Sequence, residues 1–212
     1  LFLLASIMVS IAVVPILVTA GTAPNFEAPD RISFRRLVQV SPLAVVGMVF
    51  VGIAVSMLFG MGSVYGRSIG LNNTQVGYFM ASITLGTLAL QYPIGRLSDR
   101  FDRRGVIFGV AVIAGIAISI AGFFGADQFI SLFILMLVFG GLLFSLYSLF
   151  IAHANDYLPP SQMVAMSSGL LMVNSAGAVL GSPLAATVIE IAGVKGFLPT
   201  IGAFLFLLAG FV

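Results

Sequence analysis

The feature that most constrains this chain is the separation of its charge from its apolar runs. Seven stretches, approximately 1–20, 43–66, 74–95, 105–126, 129–152, 164–189 and 196–212, contain no Asp, Glu, Lys or Arg. Every charged residue falls in a connection or at a boundary. A spanning α-helix needs about 20 mostly apolar residues, and these runs meet or approach that length. A charge at a helix centre inside lipid is costly, which explains where the charges are absent. Lipid offers backbone groups no partners, and the runs are too long and uniform for barrel strands, so they predict helices. Residues are 60% hydrophobic and only 8% charged, against about 25% charged in a soluble domain. The expected fold class is an all-α polytopic membrane protein.

Composition also removes several functions. A net charge of +2 gives no electrostatic footprint for nucleic acid, so no nucleic-acid partner is expected. The absence of cysteine removes disulfides and thiolate sites, and a single histidine removes a multi-His centre; no metal and no cofactor are expected. "GRSIG", Gly66 to Gly70, matches the Gly-x-Ser-x-Gly nucleophile elbow. That elbow needs a strand–turn–helix and a nearby His. Ser68 falls in a connection, and His153 lies at the opposite membrane face, roughly 30 Å away. No enzyme is expected. "NNT", Asn72 to Thr74, is a formal glycosylation sequon against a span start, where Asn73 or Thr74 reads better as a helix cap.

Alternate connections carry very different amounts of Lys and Arg. Residues 21–42 hold Arg31, Arg35 and Arg36, and residues 96–104 hold Arg96, Arg100, Arg103 and Arg104. The opposite face holds only Arg67 and Lys195. The positive-inside rule places the richer face in the cytoplasm, with the first residue outside and the last inside. Both chain ends lie within apolar runs, which predicts a fragment. Residues 1–20 lack the basic region of a signal peptide and read as a span. The expected organisation is one span at 1–20, a basic cytoplasmic linker at 21–42, and a six-span bundle at 43–212. Within the linker, "DRISFRRLVQV" sets Ile32, Phe34 and Leu37 apart from the arginines. It fits a short surface helix and, equally, a solvated linker. A six-span block behind such a linker is what the second half of a two-halved transporter looks like.

The charged turn "GRLSDRFDRR", Gly95 to Arg104, resembles the cytoplasmic signature of the major facilitator superfamily: Gly-x-Leu-(small)-Asp-(basic)-x-Gly-(basic)-(basic). Gly95, Leu97, Ser98, Asp99, Arg100, Arg103 and Arg104 match; Asp102 stands where the pattern has Gly. The motif lies between the second and third spans of the six-span block, as in that family. The resemblance implies a secondary transporter in a plasma membrane, similar to bacterial inner-membrane members; the alternative is a non-transporting membrane receptor or scaffold that keeps the fold. This chain would supply spans 6–12 of twelve. Its partners would be a small-molecule substrate, the lipid bilayer and the missing N-terminal half. It also implies that the turn gates alternating access. Gly95 would permit a close backbone approach, and Asp99 would lock helix ends among the arginines. Asp102 is placed to cap the following helix. "GAVLGSP" resembles the family's Gly-x-x-x-Gly-Pro pattern; Gly177 and Gly181 share a face for helix packing, and Pro183 would kink the helix.

In "IAHANDYLPPSQ", Asp156 either pairs with a motif arginine or is, with Asn155, an ordinary turn residue; Ser161 is a candidate cap. Near the midplane, Asn174, Ser175, Tyr147, Ser145, Ser56 and Thr84 are the candidate substrate-cavity residues, with Asn174 foremost. Any single Ser or Thr among them also fits a packing role. Tyr65 and Phe59 fit either a cavity mouth or an interfacial belt. No titratable residue lies inside a span, so a coupling carboxylate would belong to the other half.

Overall fold

The computed structural model describes residues 2–18 and 33–212. Arg31, Ile32 and most of the proposed linker fall outside the described residues. What is described is helical, with no strand among the described residues. Helix α1 spans Phe2–Val18, α2 Phe34–Val40, α3 Pro42–Ser68, α4 Asn73–Arg100 and α5 Arg103–Ala121. Helix α6 spans Phe129–Asn155, α7 Pro160–Ala192 and α8 Phe197–Phe211, with single 3₁₀ turns at Ala126–Gln128 and Val194–Gly196.

Local chemistry sets the helix ends. Asn72 caps α4 in a reciprocal box: its side chain accepts from Gln75 N at 2.9 Å, and the Gln75 side chain accepts from Asn72 N at 3.0 Å. The cap thus sits one residue before Asn73 and two before Thr74, the expected positions, because Gln75 stands three residues after Asn72. Helix α7 starts with Pro160 and has no side-chain cap, so Ser161 lies inside it rather than capping it. Pro fits that position because the first helical N–H has no partner to lose. Gly70, at φ 92°, follows the last turn of α3, and Gly193, at φ 72°, that of α7. Both are left-handed conformations that favour glycine.

Among the described residues, five helical segments are long and apolar enough to cross a membrane: α3, α5, α6 and α8 with their 3₁₀ turns, and α7. Helix α4 has 28 residues, about 42 Å at 1.5 Å per residue. It falls short on composition because Gln75, Thr84, Thr87 and Gln91 dilute its apolar content. The described part of helix α1 has 17 residues, about 26 Å at 1.5 Å per residue.

The strongest pairings are α3 with α7 and α4 with α6, followed by α5 with α8 and α6; α3 also touches α6 and α8. Helices α7, α3, α6 and α4 therefore form a front row, with α3 and α6 central, and α8 and α5 lie behind. The core between these layers holds Met48, Met57, Leu58, Ile107, Phe139 and Phe150, all fully buried. Helix α2 docks at the start of α3: Leu37 is buried, against Gly169 of α7, whereas Phe34 is exposed. Of the five membrane-length segments, α3 is the most buried and α7 the least.

Candidate gating turn and cavity wall

Helix α4 runs through the whole Gly95–Arg100 segment, so the motif is mostly the last turns of a helix. Only Phe101 and Asp102 separate it from α5. Asp102 caps α5, its Oδ2 accepting from Gly105 N at 2.8 Å. A carboxylate there satisfies an orphan N–H and faces the positive end of the helix. The departure from glycine thus has a structural use.

Arg103 ties three helix ends together. Its Nε lies 2.9 Å from Asp156 Oδ2 at the end of α6, and its Nη2 lies 3.7 Å from Asp99 Oδ1 near the end of α4. Of the two expected readings of Asp156, the structure shows the pairing. The three side chains differ in exposure: 19% for Arg103, 48% for Asp156 and 72% for Asp99. Asp99 is thus held by one long contact and presents most of its surface outward. Arg100, Arg104 and Leu97 are exposed, and Arg96 lies over the Tyr92 ring, 4.8 Å from its centroid. Among the described residues the close approach expected at Gly95 is not made, since an added Cβ would meet nothing within 4 Å. Ser98, within the motif, is buried, and its hydroxyl has no partner among the described residues. His153 is buried on the last turn of α6, edge-on to Tyr157.

A Cβ on Gly177 or Gly181 would strike the backbone of α3 at Val49 or Ile53, and one on Gly52 would strike Asn174 O and the α7 backbone. Polar bonds flank this seam: Asn174 Nδ2 donates to Met48 O at 3.0 Å, and the Ser56 and Ser182 hydroxyls lie 3.0 Å apart. Asn174 and Ser56 therefore join α3 to α7. Pro183 lies inside α7, which continues as one helix through it.

A second seam, between α4 and α6, escaped the sequence reading. Gly86 packs on the backbone at Leu137 and Gly141, and Gly140 on the backbone at Ile83. Gln91 Nε2 donates to Ser148 Oγ at 2.8 Å, and Thr87 Oγ1 lies 3.4 Å from Gly140 O. The adjacent pair Gly140–Gly141 in an otherwise bulky run was the available signal.

The remaining cavity candidates separate by exposure. Ser145 is buried and donates to Gly141 O at 2.7 Å. Ser175 is exposed but donates to Leu171 O of its own helix at 2.9 Å. Thr84 is exposed on α4, and Tyr147 is half-buried on α6. Phe59 is exposed and meets Phe144 edge-on, with centroids 6.2 Å apart, where α3 and α6 join. Tyr65 does not flank a mouth: it is buried, packed on Phe79 and Phe197. Among these candidates Phe59, Thr84 and Ser175 are exposed and Tyr147 half-buried, and none carries a charge. Among the described residues no group of three His, Cys, Asp or Glu side chains is gathered to hold a metal ion.

Comparison with known proteins fits this geometry. Residues 44–212 match the family model described as Major Facilitator Superfamily. The chain is 33% identical over 168 residues to a protein of Escherichia coli O7:K1 (strain IAI39) named as an uncharacterized MFS-type transporter, YcaD. That match covers 79% of this chain and 42% of that protein. A YcaD of Shigella flexneri serotype 5b is 31% identical over 180 residues, covering 84% of this chain and 46% of its own length. The chain thus spans less than half the length of these curated relatives.

Proposed function

This chain belongs to the major facilitator superfamily, and from that premise we propose that it forms one of two six-helix bundles of a secondary transporter working by alternating access. In this reading residues 1–20 are the last span of the other half, 21–42 link the halves, and 43–212 are the second bundle. The charged end faces the cytoplasm of a bacterial cell, in the inner membrane. The front row α7–α3–α6–α4 lines a midplane cavity with Phe59, Thr84, Phe144, Tyr147 and Ser175. A wall without charge suits a neutral or amphiphilic substrate; a charged one would need its counter-charge from the other half. The reading includes no catalytic chemistry.

The observation that carries the proposal is the Arg103 bridge. It fastens the α4–α5 turn to α6 at 2.9 Å while leaving Asp99 72% exposed. A carboxylate so placed is free to pair across the interface, for example with the N–H groups at a helix start of the other half, and to release when the bundles rock.

The test uses the full-length protein in proteoliposomes, freed of other cysteines. Single cysteines near Asp99 and at the far ends of α3 and α7 are labelled with a membrane-impermeant thiol reagent. Asp99→Asn should raise labelling at the charged end and lower it at the far end. Unchanged labelling with topology preserved would reduce the turn to a positive-inside signal.

A further inference from the structure

Where α4 turns into α5, two cavities adjoin. One, of about 200 Å³, is lined by Pro93, Arg96, Leu97, Arg100 and Phe101. The other, of about 320 Å³, is lined by Gly105, Gly109, Val110 and Ile113 of α5 together with the same Leu97 and Phe101. The shared side chains make the two one groove, basic at the charged end and apolar beyond it. We propose that this groove binds an anionic phospholipid, with its phosphate on Arg96 and Arg100 and an acyl chain between α4 and α5.

The groove is open because α4 and α5 pack mainly on other helices, α4 on α6 and α5 on α8 and α6. Gly109 adds no bulk to its floor; a Cβ there would meet nothing within 4 Å. From Gly105 to Ile113 the groove follows α5 for about 12 Å at 1.5 Å per residue. Starting at the membrane boundary, it runs through most of a hydrocarbon half-layer of about 15 Å. An aliphatic chain meets only apolar side chains and glycine there.

The charges at its mouth specify the rest of the ligand. Arg96 and Arg100 stand one helical turn apart, line the same cavity and are exposed. Among the described residues, neither has a carboxylate within ion-pairing distance. Arg96 rests over the Tyr92 ring, 4.8 Å from its centroid, which limits its motion without neutralising it. Asp99 and Asp102 line neither cavity: Asp99 contacts Arg103, and Asp102 accepts from Gly105 N. Two uncompensated guanidiniums match a phosphate. A zwitterionic headgroup carries its own ammonium, so a net negative one is preferred. A helix of another protein segment would have to bring a carboxylate to the same two arginines. The groove also lies between α4, at the end of the front row, and α5 behind it, off the face assigned to the substrate cavity. Such a lipid would bind whether or not the protein transports.

The chain has no tryptophan, so one introduced as Ile113→Trp reports on the deep end of the groove. The experiment uses the full-length protein, freed of other tryptophans, in phosphatidylcholine nanodiscs. Part of the lipid is replaced by phosphatidylglycerol or phosphatidylcholine with brominated acyl chains, which quench tryptophan on contact. Brominated phosphatidylglycerol should quench at a mole fraction at least fivefold lower than brominated phosphatidylcholine. Arg96→Gln and Arg100→Gln should each lower that preference about fivefold, the factor expected for one basic residue near an anionic surface. Arg104→Gln, in the same turn but lining neither cavity, should leave it unchanged. A reporter at Ile120→Trp, exposed on α5 beyond the groove, should show no preference. Equal quenching by the two lipids at Ile113→Trp overturns the proposal, as does a preference that survives loss of both arginines. Absence of quenching by either lipid also overturns it, and assigns the groove to a protein segment instead.

Discussion

Gly86→Ala tests whether the α4–α6 seam holds the front row together. An added Cβ would overlap the Leu137 carbonyl and lie 3.0 Å from Gly141 N. All of these atoms are backbone, so no rotamer change relieves the overlap. Restoring carbon contact distances near 3.5–4.0 Å requires the helices to part by about 1 Å or more, forfeiting much of the dispersion along the seam. That movement also stretches Gln91–Ser148 from 2.8 Å and Thr87–Gly140 from 3.4 Å. Overpacking costs about 1–3 kcal/mol, and two inter-helical bonds at about 0.6 kcal/mol each add roughly 1. The better helix propensity of alanine returns about 1 kcal/mol. The net expectation is a loss of about 2 kcal/mol, about thirtyfold in the unfolding constant. The control is Gly109→Ala in α5, where an added Cβ meets nothing within 4 Å. Equilibrium unfolding of the full-length protein in mixed micelles, followed by far-ultraviolet circular dichroism, compares the two. Equal stability of Gly86→Ala and Gly109→Ala would refute the seam argument.

Three further outcomes are expected. Asp102→Ala should lower stability by about 1 kcal/mol in the same unfolding assay, whereas Asp102→Asn, which keeps a capping oxygen, should lose much less. Arg103→Gln should shift the ratio of charged-end to far-end labelling about fivefold, since a partly exposed bridge is worth at most about 1 kcal/mol. Arg104→Gln, which breaks no described pair, should leave that ratio unchanged. Asn174→Leu should lower stability by about 0.6 kcal/mol through loss of its bond to Met48 O; a transport defect with no stability change would assign Asn174 to the substrate instead.

The helices were legible because lipid imposes one rule on every position of a span: backbone groups must be satisfied within the helix, and charge must stay out. The exceptions arise where that rule is diluted. In helix α4, Gln91 and Thr87 reach α6, a contact no hydropathy pattern encodes. The Asp102 cap was readable, since capping is local and the aspartate directly precedes the next apolar run. Its neighbour Arg103 was one of four arginines with nothing to single it out; its role depends on Asp156, 53 positions away. Asn174 was marked because a mid-membrane carboxamide must find a partner, but the sequence does not say which. The structure supplies Met48 O, 126 positions distant. Gly177 and Gly181 stood out by their spacing, while Gly86 makes the same kind of contact with no such spacing, its partner signalled only by the adjacent Gly140–Gly141 pair.

The two seams also bear on how such a bundle moves. Across α3–α7 and α4–α6 the glycines bring backbone against backbone, and hydrogen bonds flank both contacts. Surfaces so closely fitted do not slide by small increments, because packed interfaces are not continuously deformable. Each pair should therefore move as a unit. The weaker contact is α3 with α6, where the ring edges of Phe59 and Phe144 meet rather than backbones. Behind it, α8 and α5 tie the two pairs into one body: α3 packs on α8, α8 on α5, and α5 on α6. A bundle built this way resists internal rearrangement and favours rigid-body rotation against whatever covers its flanks. Those flanks are α4 and α7, and Asp99 lies near the end of α4. On the proposed alternating-access reading, a contact that breaks and reforms with each rotation belongs at that edge, where little buried area is lost.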